Sequence, residues 1–201
     1  MENSLKSGTT TVGLICKDGI VLASEAKASM GYMVANKEVQ KVFQIDDKIG
    51  VTIAGMVSDA QQLINIMKAE INLHKLETGE EMKVKAVATL LANIMYARRL
   101  FPYFTQIILG GIDSNGKHLY SFDPTGSCIK EKYVSTGSGS PFVYGILEKD
   151  FKENMSLQQA KELVKQVIKS ASERDIASGG DKIWIAEITE KGFKLSEEKL
   201  K

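Results

Sequence analysis

The sequence predicts an α+β fold, a four-layer α-β-β-α sandwich of two stacked antiparallel sheets covered by helices. Three observations predict it. Stretches of period-two alternation and stretches of helical period are segregated along the chain. The helical stretches arrive in two separated batches, enough to cover the outer face of each sheet. The strand stretches are joined by short turns, as antiparallel neighbours are.

The elements follow in order. Between Thr9 and Cys16, Val12, Leu14 and Cys16 alternate with polar or small residues, and Asp18-Gly19 supplies a two-residue turn before Ile20-Val21-Leu22-Ala23, which reads as a hairpin. Lys41–Ile45 and Ile49–Gly55 make a second antiparallel pair across the polar turn Asp46-Asp47-Lys48. The period then changes: Val57, Ala60, Leu63, Ile64, Met67, Ile71 and Leu73 recur at helical spacing, and Gly79 stops them. Val84 to Leu100 repeats the pattern until Phe101-Pro102. Thr105–Ile112, an Asn115-Gly116 turn, His118–Phe122, a Pro124-Thr125-Gly126 turn and Cys128–Val134 then read as a three-stranded meander. Ser156 with Gln159 forms a capping box that opens a helix to about Arg174. Lys182–Ile188 and the segment from Gly192-Phe193 close the chain with strands.

A chain of 201 residues is a single domain by length, and 43% hydrophobic residues with only 3 prolines exclude a disordered or collagen-like chain. Its net charge of +1 provides no global field for a nucleic-acid backbone or an anionic membrane, so neither is a predicted partner. Cys16 and Cys128 form neither a CxxC pair nor a zinc quartet, which favours a reducing cytoplasm. No apolar stretch approaches the ~18 residues of a spanning helix. His74 and His118 lack acidic or cysteine neighbours at ligand spacing, so no metal site and no cofactor is expected. Residues 9–201 form one domain behind a polar leader, residues 1–8.

The chemistry concentrates at Ser7-Gly8-Thr9-Thr10-Thr11. A threonine run suits the start of a strand. It also has a sharper reading. If the Gly8–Thr9 bond were cut, Thr9 would carry a hydroxyl nucleophile and a free α-amine, whose pKa of about 7.7–8.0 lets it act as its own base. Gly8 suits such a junction because it leaves its carbonyl unshielded.

Five segments carry a resemblance in order and spacing: Gly8-Thr9-Thr-Thr-Val-Gly, Thr52-Ile-Ala-Gly55, Gly110-Gly-Ile-Asp113, Ser135-Thr-Gly-Ser-Gly-Ser-Pro-Phe-Val-Tyr-Gly145 and Arg174-Asp-Ile-Ala-Ser-Gly-Gly180. Together they resemble the β-type subunits of the 20S proteasome, in the archaeal form, within the N-terminal-nucleophile hydrolases. The resemblance spans the chain from Gly8 and implies the same four-layer sandwich. It implies a threonine endopeptidase, made as a precursor with residues 1–8 as propeptide. Self-cleavage at Gly8-Thr9 would precede hydrolysis of unfolded polypeptides inside a ring-shaped chamber.

Residue by residue, the resemblance implies that Thr9 is the nucleophile and that Lys41 lies beside it to stabilise the alkoxide and relay a proton. Asp175 and Ser178 match the second catalytic pair, and Ser138 completes its network. Glu25 stands where many active members carry Asp, as the partner that orients the lysine. Gly55 would offer a backbone N–H to the oxyanion. Ser29, Gly55 and Val57 correspond to positions that hold an extended peptide. Ala28, Val39, Phe43, Ile53 and Val57 correspond to the pocket for the residue before the cut, which their apolar or small side chains would make apolar. The implied partners are other β-type subunits in a ring of seven, α-type rings, and a regulatory ATPase acting through the α ring. Two alternatives stay open: a catalytically silent structural β-type subunit, for which Glu25 is the argument, and the shorter bacterial ATP-dependent ring peptidase.

Overall fold

The computed structural model describes residues 8–200. In chain order its elements are β1 (Thr11–Cys16), β2 (Gly19–Glu25), β3 (Ala28–Met30), β4 (Met33–Asn36), β5 (Val42–Asp46), β6 (Ile49–Gly55), α1 (Val57–Thr78), α2 (Val84–Ala97), β7 (Thr105–Asp113), β8 (Gly116–Phe122), β9 (Cys128–Lys130), β10 (Tyr133–Thr136), α3 (Ser140–Asp150), α4 (Leu157–Arg174), β11 (Lys182–Thr189) and β12 (Gly192–Lys199). One five-stranded sheet has the order β10-β1-β2-β11-β12 and the other β5-β6-β7-β8-β9, both antiparallel, with β3 and β4 as a separate hairpin.

Three apolar layers bind these elements into the predicted α-β-β-α sandwich. Ile20, Leu22, Val42, Ile108, Leu119, Ala186 and Ile188 fill the space between the sheets. Val51, Ile53, Leu109 and Phe122 pack the second sheet against Ala60, Leu63 and Met67 of α1 and Val87, Leu91 and Met95 of α2. Val12, Leu14, Ala23 and Ile185 pack the first sheet against Val143 and Leu147 of α3 and Leu163, Val164, Val167 and Ile168 of α4. The period-two stretches thus bury both faces, one on helices and one on the partner sheet.

Local chemistry sets the boundaries. Gly79 ends α1 in the left-handed region at φ 73, its N–H returning to Lys75 O, a conformation that side-chain-bearing residues resist. The expected capping box at α4 is formed in both directions between Ser156 and Gln159. The two hairpin turns sit one residue earlier than expected. Cys16 pairs with Gly19 and Asp113 with Gly116, so each glycine opens its strand instead of occupying the turn.

Three further expectations need correction. The single strand Cys128–Val134 is two strands in different sheets, β9 pairing with β8 and β10 with β1, because the chain crosses from sheet to sheet at Glu131-Lys132. Residues 140–150 fold into α3, which was missed because glycines, serines and Pro141 crowd its start, although Pro is well suited to a helix's first turn. Finally, α2 stops at Ala97 and not Leu100.

Candidate active site

Thr9 lies two residues ahead of β1 and is 3% exposed. Its hydroxyl donates to Gly8 O at 2.7 Å and accepts from Lys41 Nζ at 2.9 Å. Lys41 directly precedes β5 and is itself 3% exposed, so it is not the solvated lysine that its type suggests. Its ammonium also donates to Glu25 Oε1 and to Lys27 O, each at 2.5 Å. All three of its hydrogens are therefore committed.

Glu25 ends β2 and is fully buried. Its Oε1 accepts from the Thr10 N–H at 3.2 Å as well as from Lys41, and its Oε2 accepts from the N–H groups of Lys27 at 2.6 Å and Gly179 at 3.1 Å. Every one of these partners is an N–H donor, which suits an ionised carboxylate. Burial pushes the Glu25 carboxyl up and the Lys41 ammonium down, and the contact between them opposes both shifts. Glu25, with its additional methylene, closes the pair with Lys41.

A second cluster adjoins the first. Asp175 caps the C-terminus of α4, and its Oδ2 accepts from Ser138 Oγ at 2.6 Å and Ser178 Oγ at 2.5 Å. Since the Ser178 hydrogen goes to Asp175, the 2.6 Å contact between Thr10 and Ser178 is donated by the Thr10 hydroxyl. Ser138 Oγ also lies 3.5 Å from Thr9 O. The glycines around Ser138 permit this approach: a Cβ on Gly137 would fall 1.9 Å from Thr9 O, and one on Gly139 2.0 Å from Thr10 Oγ1. Gly8 is equally confined, with a Cβ there lying 1.8 Å from that of Ala177. The Gly8 N–H donates to Ser29 Oγ at 3.3 Å.

The structure thus brings together Gly8, Thr9, Glu25, Lys41, Ser138, Asp175 and Ser178 from five separated segments. Gly55 ends β6 at φ 127, where a Cβ would fall 2.2 Å from Phe104 O, so glycine is required there. Of the expected substrate-binding residues, Ala28, Val39 and Val57 of the pocket and Ser29 of the main-chain positions are half-buried. Ile53 is buried in the core against α1 and α2, and Phe43 packs on that core. Residues 1–7 of the expected propeptide lie outside the described residues.

Sequence reasoning missed Thr10, whose N–H and hydroxyl join the two clusters, and Lys27. It also missed a buried hydroxyl chain at the base of β1, in which Thr52 donates to Thr11 at 3.0 Å and Thr11 meets Thr136 at 2.7 Å. Adjacent threonines at a strand start carried no sign of which would turn inward.

The sequence matches the family described as Proteasome subunit over residues 5–188. This chain belongs to the proteasome subunit family. Proteins named proteasome subunit beta are similar to it along almost its whole length. The one from Methanothermobacter thermautotrophicus is 47% identical, covering 99% of this chain and 95% of the relative. The one from Methanosphaera stadtmanae is 49% identical over 94% of this chain and 90% of the relative. The Archaeoglobus fulgidus protein is 47% identical over 96% and 91%. The family assignment accords with the four-layer sandwich, and the named relatives place the chain on the β side of the proteasome. Among the described residues no helix is long and apolar enough to cross a membrane.

Proposed function

We propose that this chain is a threonine endopeptidase subunit of the 20S proteasome core, with residues 1–8 as propeptide and residues 9–201 as the hydrolase domain. The observation that carries this reading is the Lys41 ammonium, held by buried Glu25 and in contact with the Thr9 hydroxyl at 2.9 Å. A lysine is buried in this way at considerable cost, and a site for developing negative charge on Thr9 Oγ1 accounts for it.

In the precursor the Thr9 oxygen attacks the Gly8 carbonyl carbon, the C–N bond breaks, and the hydroxyl proton passes to the leaving Thr9 nitrogen. Water then hydrolyses the resulting ester, which frees the Gly8 carboxylate and restores the Thr9 hydroxyl beside the α-amine that the shift released. In the mature subunit that amine takes the hydroxyl proton while the oxygen attacks a substrate carbonyl. The Lys41 ammonium stabilises the alkoxide and the Gly55 N–H the oxyanion. Asp175, Ser138 and Ser178 orient the groups around the amine. Ala28, Val39, Phe43, Ile53 and Val57 receive an apolar side chain before the cut, and Ser29 with Gly55 and Val57 holds the peptide main chain. The same reading includes a ring of seven β-type subunits stacked on α-type rings, a regulatory ATPase that feeds unfolded polypeptide through the α ring, and a cytoplasmic location. It requires neither metal nor nucleic acid.

Intact mass of the chain assembled with α-type subunits tests the reading. Loss of Met1–Gly8, abolished by Thr9→Ala, supports it; retention of Met1 in complete particles would make this a silent structural subunit.

A further inference from the structure

Lys27 touches the site through each of its polar groups. Its N–H lies on Glu25 Oε2 at 2.6 Å and on Gly179 O at 3.0 Å, and its carbonyl accepts from Lys41 at 2.5 Å. Its side-chain ammonium donates to Ile176 O at 2.8 Å. The aliphatic stem runs beside Gly179, where an added Cβ would meet Nζ, Cε and Cδ at 3.5, 3.7 and 3.8 Å. The main-chain contacts could be made by any residue. The side-chain contact could not.

Its target is the loop between Asp175 and Ser178, which carries the second cluster. That loop has little apolar anchorage on its outer side, since Ile176 is 80% exposed. Polar ties hold it: Ala177 N–H to Asp175 Oδ1 at 3.2 Å, Gly179 N–H to Glu25 Oε2 at 3.1 Å, and the Lys27 ammonium. Among these, the lysine spans directly from the segment that binds Lys41 to the segment between Asp175 and Ser178.

We propose that Lys27 is a positioning residue for hydrolysis, its ammonium strapping the Asp175–Ser178 loop to the strand end that holds Glu25 and Lys41. The proposal rests on the threonine-peptidase reading above. It adds one half-exposed side chain to the ties that Thr10 and Gly179 already make between the two clusters, and it brings a second positive charge toward Lys41, which also faces Glu25 and Asp175.

The test uses particles assembled with α-type subunits, with the chain as wild type, Lys27→Met, Lys27→Arg, and Thr9→Ala as control. Intact mass reports processing, and a fluorogenic peptide with an apolar residue before the cut reports kcat and KM across pH. Lys27→Met should lower kcat by about tenfold with KM within about twofold, because a small misplacement acts on the reacting geometry more than on binding. It should also move the limb of the pH profile governed by Lys41 to higher pH, since a neighbouring positive charge is gone. Lys27→Arg, which keeps donor and charge, should restore most of both. A Lys27→Met enzyme with wild-type kcat and pH profile overturns the proposal, as does a Lys27→Met chain that fails to assemble while Lys27→Arg behaves as wild type, which would assign the side chain to folding. Processed, active Thr9→Ala particles would instead overturn the peptidase reading itself.

Discussion

Glu25 and Asp113 are built alike and respond in opposite ways. Glu25 accepts from the N–H groups of Thr10, Lys27 and Gly179 and from the Lys41 ammonium. Asp113, at the far end of β7 from Gly55's partner Thr105, accepts from the N–H groups of Val84 and Asn115 and meets His118 Nε2 at 3.2 Å. Burial raises both carboxyls, but for Glu25 it prevails over the donors, whereas at Asp113 the donors prevail and hold the group below the ordinary carboxylate range. Depth decides, since Glu25 is fully buried and the Asp113 side chain retains 10% of its exposure. The difference separates two uses of a carboxylate. Asp113 fixes the start of α2 and a turn, and stabilises the fold; Glu25 holds a charged lysine where the fold alone would not keep one.

The largest expected effect isolates the functional side of that contrast. Thr9→Ala should abolish self-cleavage and lower peptidase activity by at least about a thousandfold, while shifting unfolding free energy by only about 1 kcal/mol, the net worth of a lost hydroxyl contact. Peptidase assay and denaturant titration read the two together. A large loss of stability instead would make the threonine a structural element of the cluster.

Lys41→Met should be next, and would break the balance at Glu25. It leaves a carboxylate buried without its charge partner, at a cost of about 3–5 kcal/mol. Adding Glu25→Gln should recover part of that loss, because the uncompensated charge goes with it. Denaturant unfolding of the two single variants and the double variant measures the coupling. A double variant no more stable than Lys41→Met would mean that the backbone donors, and not Lys41, sustain the Glu25 charge.

Gly8→Ala separates making the site from using it. The added methyl meets the Ala177 Cβ at 1.8 Å, so the junction must shift and self-cleavage should slow, by about tenfold if the scissile carbonyl moves by a fraction of an ångström. The mature subunit would not contain residue 8, so turnover per processed site should match wild type. Processing followed by intact mass, and peptide turnover normalised to mature N-termini, distinguish the steps.

The layered fold was legible because burial imposes a period on the sequence. Val12, Leu14 and Cys16 at period two, and Ala60, Leu63, Ile64 and Met67 at helical spacing, are the residues that fill the core layers. The split of Cys128–Val134 between two sheets was not legible, since a strand's partner is chosen by the rest of the chain and not by its own alternation. The site was legible only as motifs in order. Lys41 read alone is a surface lysine, and Glu25 read alone an exposed carboxylate. Their burial comes from β2, the segment before β5 and the loop after α4 converging, a consequence of topology that no local pattern records. Lys27 was illegible for the same reason, its side chain acting on a carbonyl 149 positions away.

The smallest effect sharpens the stabilising side. Asp113→Asn keeps an oxygen that can accept from Val84 but loses the charge that the α2 N-terminus and His118 favour, and should cost about 1 kcal/mol at neutral pH. Burial raises the Asp113 carboxyl, and the Val84 and Asn115 N–H groups and His118 lower it further than burial raises it, so the folded protein gives up this proton more readily than the unfolded chain. Its contribution is therefore complete above the unfolded value of about 3.9 and disappears as pH falls through the lower folded value. Wild type and Asp113→Asn should differ in unfolding free energy at neutral pH and converge in acid. A difference that persists undiminished in acid would mean that shape, and not charge, is what Asp113 contributes, and the contrast with Glu25 would then rest on one end of the molecule alone.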